Sequence, residues 1–135
     1  MVLVDTSVLI DYLKDRQNEK TALFQTLLER DIPFGISILS YQEVLQGARD
    51  EREYKLLRSY LGSQTLYYPP AKQVFYEKAA RMFFDLRRNG VTVRGTIDML
   101  IALTAIENKL ALLHNDRDFE SLAAALPELR ILSAL

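Results

Sequence analysis

The chain has 135 residues, of which 49% are hydrophobic and 26% are charged, and its formal net charge is −1. This length and composition are typical of a folded globular protein of one-domain size, and they exclude a disordered chain. Cysteine is absent, which excludes a disulfide scaffold, a thiolate zinc site and a cysteine nucleophile. The near-neutral net charge does not by itself indicate a nucleic-acid partner.

The sequence contains no candidate for a membrane span or a signal peptide. Its longest apolar runs, such as Met99–Leu103, have four or five residues, whereas a transmembrane helix needs about 20. Asp5 interrupts the first apolar stretch, and no basic region precedes it. We therefore expect a cytoplasmic protein.

Short apolar segments alternate with helical patterns along the chain. The predicted order is a strand at Val2–Val4, a helix that starts after Asp5 and continues through Leu13, a helix over Asn18–Arg30, a strand over Gly35–Ile38, a helix from Ser40 to near Gly47, a helix over Asp50–Leu61, a strand over Thr65–Tyr68, a helix over Ala71–Arg88, a helix over Thr96–Asn108, a strand over Leu110–Leu113, a helix over Asp118–Leu126 and a strand over Leu129–Leu132. Continuously apolar strands that are separated by helices indicate a parallel sheet covered on both faces. The predicted fold class is therefore α/β, with about five strands.

One segment departs from the even distribution of charge. Between Lys72 and Arg94 there are six basic residues and two acidic ones. Such a patch can bind phosphates even on a neutral protein, but a solvated helix face gives the same pattern. Our candidates for phosphate contacts in this segment are Arg87, Arg88 and Arg94.

Five acidic residues lie where predicted strands end or the following helices begin: Asp5, Glu43, Asp98, Asp116 and Asp118. In open parallel sheets, sites form outside the carboxyl ends of the strands, so we expect these side chains at one edge of the sheet. Each also has a purely structural interpretation. Asp5 can cap a helix, Glu43 can close a capping box with Ser40, Asp98 can interact with a helix dipole, and the last two can form a turn and a cap.

The convergence of several carboxylates argues against capping alone. An aspartate at the start of the apolar helix over Thr96–Asn108 is costly unless something neutralises it, and clustered carboxylates raise one another's pKa unless a divalent cation is present. Oxygen ligands without cysteine or histidine suit Mg²⁺ or Mn²⁺ rather than zinc. Such sites usually perform phosphoryl chemistry, in which the metal activates water and stabilises charge on the phosphate.

The histidine and glycine content excludes several familiar metal and nucleotide-binding sites. His114 is the only histidine, which excludes a histidine metal triad, and at a strand end it is more typical of a structural hydrogen bond than of a phosphate contact. The five glycines are scattered singly, so neither a P-loop nor a dinucleotide-binding loop is present.

Four motifs follow one another along the chain: Val-Leu-Val-Asp5-Thr6-Ser7, Ser40-x-x-Glu43-x-x-x-Gly47, Thr96-Ile97-Asp98-x-x-Ile101-Ala102 and Leu112-Leu113-His114-Asn115-Asp116-Arg117-Asp118-Phe119. In this order and spacing they resemble PIN-domain ribonucleases over essentially the whole chain, and in particular the VapC-type toxins of toxin–antitoxin pairs. The resemblance implies a single domain over residues 1–135, with a three-layer α/β/α sandwich around a mostly parallel sheet. It also implies an endoribonuclease that uses Mg²⁺, with Mn²⁺ as a substitute, to hydrolyse RNA phosphodiester bonds.

The resemblance implies a role for each acid. It makes Asp5, Glu43, Asp98 and Asp116 a catalytic quartet, in which Asp5, Asp98 and Asp116 are metal ligands. Glu43 is implied to position water or a second metal ion. Asp118 competes with Asp116 for the last position. We expect Asp116 to be the ligand and Asp118 to be a helix cap or a support.

The resemblance also implies supporting residues and partners. Thr6 and Ser7 match hydroxyl positions beside the first aspartate and are implied to orient a ligand or a phosphate. Thr96 is implied to have a similar supporting role, with helix capping as an equal alternative. A homodimer and a small VapB-type antitoxin, whose tail covers the acidic groove, are further implications. We expect Leu23, Phe24 and Tyr54–Leu61 to belong to the core rather than to an interface.

Two other functions fit parts of the pattern. A non-catalytic PIN-like module that binds RNA or protein would keep the fold without assembling the metal site. Another Mg²⁺ enzyme on a similar sheet is disfavoured, because a haloacid-dehalogenase-like phosphatase needs a second aspartate two residues after Asp5, and a receiver domain needs a lysine after a late strand. The ribonuclease is the leading hypothesis because all four acids are present.

Overall fold

A computed structural model describes residues 1–93 and 95–135. Arg94, one of the candidate phosphate contacts, lies outside the described residues. The strands are β1 (Val2–Val4), β2 (Phe34–Ser37), β3 (Thr65–Tyr67), β4 (Ala111–Leu113) and β5 (Arg130–Ile131). The helices are α1 (Thr6–Leu13), α2 (Glu19–Glu29), α3 (Ile38–Gln46), α4 (Glu51–Gly62), α5 (Gln73–Arg88), α6 (Thr96–Glu107) and α7 (Arg117–Ala125). Each predicted strand and helix is present, with ends that differ by at most two residues.

The five strands form one parallel sheet in the order β3-β2-β1-β4-β5. Val4 of β1 pairs with Ile36 of β2 on one side and with Leu113 of β4 on the other. After β1 the chain builds the sheet outward to β3, and it then returns to the opposite side of β1 for β4 and β5. The direction of building therefore changes between β1 and β4. The crevice outside the carboxyl ends of these two strands is where an open α/β sheet places a binding site.

Helices cover both faces of the sheet, which confirms the predicted three-layer α/β/α sandwich. Side chains of a strand alternate between the two faces. Val2 and Val4 are buried in an apolar cluster with residues of α1 to α4, whereas Leu3 is buried in a cluster with residues of α5 to α7. Because β1 is buried on both faces, its sequence is continuously apolar.

Helix α6 lacks a polar face, and it is buried as that pattern predicts. Met99 and Ile101–Ala105 are all buried, with Leu103 packed against α5. Lys78 in the first half of α5 pairs with Glu107 at the end of α6 at 3.5 Å. Leu86, near the end of α5, lies in the same apolar cluster as Met99, near the start of α6, so the two helices run antiparallel. The last turn of α5 therefore lies beside the first turn of α6. Even with α6 included, no helix in the described part of the chain is both long and apolar enough to cross a membrane.

The start of α3 differs from the prediction. The helix begins at Ile38, directly after β2, and Ser37 caps it by accepting a hydrogen bond from the Leu39 amide at 3.1 Å. The predicted Ser40–Glu43 capping box is therefore wrong, because Ser40 already lies inside the helix. The strand runs into the helix without a loop, which moves the cap three residues toward the N-terminus.

Helix capping was an alternative to a supporting role for two more residues, and the structure excludes it for both. Helix α7 is capped by Asp116, which accepts a hydrogen bond from the Asp118 amide at 2.9 Å, so Asp118 is not the cap. Thr96 is the first residue of α6, and the N-cap position belongs to Gly95, which has no side chain to accept a hydrogen bond. Helix capping therefore does not account for Thr96 or Asp118.

The segment Tyr54–Leu61 lies only partly in the core. Leu57 and Leu61 are buried, but Leu56 is 61% exposed, so the core prediction is wrong for the outer face of α4. Leu56 and Leu57 line a groove of about 740 Å³ between α1, α3 and α4. Glu43 also lines this groove, which therefore reaches the acidic edge of the sheet.

Candidate metal centre

Asp5 lies at the carboxyl end of β1, where the chain turns directly into α1. Its amide donates to the carbonyl oxygen of Leu113 at 2.9 Å and extends the pairing with β4 by one step. Its Oδ2 accepts hydrogen bonds from the Ser7 amide at 3.1 Å and from the Ser7 hydroxyl at 2.7 Å. Asp5 is 5% exposed, and burial raises the pKa of its carboxyl. The residue is therefore a helix cap and also a buried acid at the point where the strand order reverses.

Three more acids converge at the same edge. Asp98 lies in the first turn of α6, and Asp116 and Asp118 lie at the start of α7. Each offers one carboxylate oxygen, and the three oxygens lie within 4.8 Å of one another. The structure thus brings together Asp98 and Asp116, and it adds Asp118 to the group.

The carboxyl of Asp98 is strongly affected by its surroundings. Burial raises its pKa from 3.8 to about 6, together with the negative charges of Asp5, Asp116, Asp118 and Glu43 in that order. Five carboxylates therefore share one electrostatic environment. Such an environment favours a bound cation, because the positive charge of a cation offsets the repulsion among the carboxylates that raises the pKa of Asp98.

Glu43 lies in the second turn of α3, outside the close trio. The Thr6 hydroxyl donates a hydrogen bond to Glu43 Oε1 at 3.1 Å. Burial raises the pKa of the Glu43 carboxyl, the hydrogen bond from Thr6 partly offsets that increase, and the charge of Asp5 adds to it. Thr6 and Ser7 each donate to a carboxylate, so both hydroxyls orient acids of the site.

His114 has a structural role after β4. It is 1% exposed, and its Nδ1 accepts a hydrogen bond from the Asp116 amide at 3.1 Å. Its Nε2 lies 3.3 Å from a Glu120 carboxylate oxygen but is not aligned for a hydrogen bond. Burial lowers the pKa of the imidazole, which favours the neutral ring. The predicted structural hydrogen bond is confirmed, and a phosphate contact is excluded because the ring is buried.

Acidic neighbours neutralise part of the positive charge between Lys72 and Arg94. Lys78 and Arg81 form ion pairs with acidic residues of α6 and α5 at 3.5 and 3.2 Å. Arg87 and Arg88 are exposed in the last turn of α5, and their guanidinium groups lie 5.7 and 5.5 Å from the centres of neighbouring phenylalanine rings. Because this turn lies beside the start of α6, the two arginines are at the same end of the helix pair as Asp98.

Two residues that were not predicted from the sequence connect the segments of the site, Asn115 and Asp11. The backbone amide of Asn115 donates to the Ser7 hydroxyl oxygen, and its side-chain Nδ2 donates to Asp11 Oδ2, both at 2.9 Å. The partners are 108 and 104 residues apart in sequence. No local pattern can indicate such contacts, and Asn115 had no role of its own either in the predicted turn or in the fourth motif.

Comparison with known proteins identifies the family. Residues 2–125 match the family model of the PIN domain. The chain belongs to the PIN domain family. The resemblance inferred from the four motifs is thereby confirmed.

Individual PIN proteins are similar over nearly the whole chain. Ribonuclease VapC11 of Mycobacterium tuberculosis is 29% identical over 125 residues, which cover 91% of this chain and 92% of the relative. The structure of VapBC2 from Rickettsia felis, bound to a DNA fragment from its promoter, aligns with a TM-score of 0.73 at 18% identity and 98% coverage of both chains. A toxin–antitoxin complex from Klebsiella pneumoniae aligns with a TM-score of 0.66 at 23% identity, covering 99% of this chain and 98% of the other.

The raised pKa of Asp98 predicts that stability depends on pH when divalent cations are absent. The folded state keeps the Asp98 proton up to about pH 6, whereas the unfolded chain releases it near 3.8. Stability therefore falls as the pH rises through this range and stays low above it. With a discount for solvent screening at a partly exposed group, the loss is about 1–2 kcal/mol. In EDTA, we expect the free energy of unfolding of Asp98→Asn to exceed that of the parent by this amount at about pH 7.5. The difference should be much smaller at about pH 4.

Urea denaturation at the two pH values measures this difference. Glu128→Gln is the matched control, because Glu128 is an exposed carboxylate before β5, and we expect it to leave the free energy of unfolding unchanged. Equal stability of Asp98→Asn and the parent at both pH values would contradict the electrostatic interpretation.

Proposed function

We propose that this PIN domain, taken as one unit over residues 1–135, is the toxin of a type II toxin–antitoxin system and acts as a metal-dependent endoribonuclease. The observation that carries the proposal is the cluster of carboxylates that raises the pKa of Asp98 to about 6. Helix capping explains only two of the five acids, Asp5 and Asp116. The similar mycobacterial protein is named a ribonuclease, and one of the aligned structures is a toxin–antitoxin complex.

The donor set fits Mg²⁺, with Mn²⁺ as a substitute. All candidate ligands are carboxylate oxygens, which these cations prefer. Those of Asp98, Asp116 and Asp118 lie within 4.8 Å of one another, and Asp5 is outside this trio. The proposed direct ligands are Asp5, Asp98 and Asp116, with Asp118 as a support beside them. A bound cation would supply activation of water and stabilisation of negative charge on the phosphate.

The chain's own residues orient the reacting groups. Glu43 orients the attacking water and accepts its proton, and burial makes this carboxylate a stronger base. Thr6 holds Glu43 through its hydrogen bond, and Ser7 holds Asp5. Thr96, two residues before Asp98, completes the supporting residues at the start of α6.

RNA and protein partners are assigned to surfaces around this edge. Arg87 and Arg88 contact RNA phosphates, and Arg94 is included with them on the basis of sequence. The proposed protein partner is a VapB-type antitoxin whose tail covers the acidic edge. The groove beside Glu43 offers that tail an apolar wall with the exposed side chain of Leu56. We also propose that the protein forms a homodimer and acts in the cytoplasm.

The first test uses total cellular RNA, so that no substrate has to be chosen. The parent and Asp98→Asn are incubated with the RNA in Mg²⁺, Mn²⁺ or EDTA, and new RNA ends are mapped by sequencing. We expect discrete new ends only with the parent and a cation. The cleavage rate of Asp98→Asn should be lower by at least about 100-fold, because an amide neutralises one of the acids that hold the cation.

Expression in a bacterial host provides the matching toxicity assay. The parent is expected to arrest growth, whereas Asp98→Asn is not, and Glu128→Gln should behave as the parent in both assays. RNA that is bound in EDTA but never cleaved under any cation would favour the non-catalytic binding module. Absence of both cleavage and metal binding would return the acids to structural roles.

Asp116→Asn and Asp118→Asn distinguish the two acids at the start of α7. Asparagine caps a helix as well as aspartate does, so Asp116→Asn should keep the cap of α7. Asp118 is not the cap, and asparagine has the same size, so Asp118→Asn should also remain folded. We expect Asp116→Asn to weaken Mn²⁺ binding by at least about 10-fold and Asp118→Asn to weaken it less. Isothermal titration calorimetry measures both affinities. A loss of binding in Asp118→Asn alone would reverse the assignment.

Removal of two exposed charges tests the phosphate contacts. The test uses the Asp98→Asn background, which prevents cleavage. The additional pair Arg87→Gln/Arg88→Gln should weaken RNA binding and reduce the steepness of the slope of log K, where K is the association constant for RNA, against log salt concentration by about 1–2. Fluorescence anisotropy at several salt concentrations measures both quantities. The pair Arg52→Gln/Arg58→Gln removes two exposed charges from α4 and is the control. An equal effect of the two pairs would contradict a specific contact at α5.

A further inference from the structure

Asp5 and Asp116 come from different segments of the chain, and one asparagine connects these two segments. Asp5 belongs to the junction of β1 and α1, whereas Asp116 belongs to the loop between β4 and α7. Asn115, the neighbour of Asp116, contacts α1 twice. Its amide donates to the Ser7 hydroxyl oxygen at 2.9 Å, and its side-chain Nδ2 donates to Asp11 Oδ2 at 2.9 Å.

The first of these contacts continues into the site. The Ser7 hydroxyl accepts a hydrogen bond from the backbone amide of Asn115, and it donates its own hydrogen bond to Asp5 Oδ2 at 2.7 Å. A hydroxyl has one donor and two acceptor positions, so the same group makes both hydrogen bonds. The orientation of the Asp5 carboxylate therefore depends on the position of Asn115.

The second contact holds Asn115 against α1. The Asp11 side chain is only 15% exposed, and it also accepts hydrogen bonds from Asn18 Nδ2 at 3.1 Å and Arg16 Nη1 at 3.3 Å. These donors keep the Asp11 carboxylate in place. Hydrogen bonds to a carboxylate are stronger than those between neutral groups, so Asp11 is a firm anchor for the Asn115 side chain.

We propose that Asn115 is a positioning residue, which sets the placement of Asp116 relative to Asp5 and thereby prepares the site for its cation. The inference rests on the proposed function, because it concerns the same metal site. Asn115 itself is neither a ligand nor a catalytic residue. Its role requires a side chain that donates to Asp11, since alanine leaves the loop attached to α1 through the backbone alone.

Isothermal titration calorimetry with Mn²⁺ compares the parent, Asn115→Ala and the exchange variant Asp11→Asn/Asn115→Asp. We expect Asn115→Ala to weaken Mn²⁺ binding about 10-fold, which is typical of residues that orient metal ligands. The exchange variant reverses donor and acceptor and keeps the net charge. Its affinity should return to within about threefold of the parent, because an amide-to-carboxylate hydrogen bond forms again.

Asn89→Ala is the matched control. Asn89 Nδ2 also donates one hydrogen bond, to the Asp85 carbonyl oxygen at 2.9 Å, at the end of α5 and outside the loop. Thermal unfolding in EDTA, followed by circular dichroism, separates positioning from stability. A merely structural contribution of Asn115 would lower the unfolding midpoint and leave the Mn²⁺ affinity of the folded protein unchanged.

Each outcome bears on the inference. Parent-like Mn²⁺ affinity of Asn115→Ala would overturn it and leave the proposed function intact, and so would an exchange variant as weak as Asn115→Ala. If Asn115→Ala does not fold, the exchange variant decides alone: parent-like affinity supports the inference, and a tenfold loss overturns it. A parent chain that binds no Mn²⁺ would overturn both this inference and the proposed metal site.

Discussion

Repulsion among carboxylates at one edge of the sheet is the constraint on which the rest of the structure depends. Like charges placed close together oppose folding, and burial increases the cost because it disfavours the ionised form. Asp98 shows the combined effect, since its pKa rises to about 6. The fold accommodates this cost because Met99 and Ile101–Ala105 of α6 are buried, most of them in an apolar cluster beside the sheet. The stability of the core thus allows an edge that, without a cation, is unfavourable.

Topology and helix starts together determine where that edge lies. The pairing of Val4 with Leu113 places the ends of β1 and β4 side by side, so acids from distant parts of the sequence become neighbours. Asp5, Asp98 and Asp116 all lie at the N-cap or in the first turn of a helix. The partial positive charge of a helix N-terminus stabilises a carboxylate. Three helix starts therefore oppose part of the repulsion that the sheet topology creates.

Patterns that extend over many residues predicted the fold well, whereas features that depend on one residue were predicted poorly. Apolar strands and helical periodicity placed the elements within two residues of their observed ends. The caps were wrong where two equivalent residues lie close together, as with Ser37 and Ser40, because either serine satisfies the local pattern. Motif order predicted a set of acidic residues that the structure gathers at one edge of the sheet. The contact between Asn115 and Asp11 joins residues 104 positions apart and has no signature in the local sequence.

The sheet ends in very short strands, with three residues in β3 and two in β5. Exposed strand edges usually provide a template for pairing with another chain, but edges of this length present few free amide and carbonyl groups. Two copies of the chain therefore have little capacity to join their sheets into one. They would have to meet through side chains on the outer helix faces, where Tyr54, Leu56 and Val74 are exposed. An assembly of that kind can be strengthened or lost through surface substitutions alone, while each chain keeps its fold.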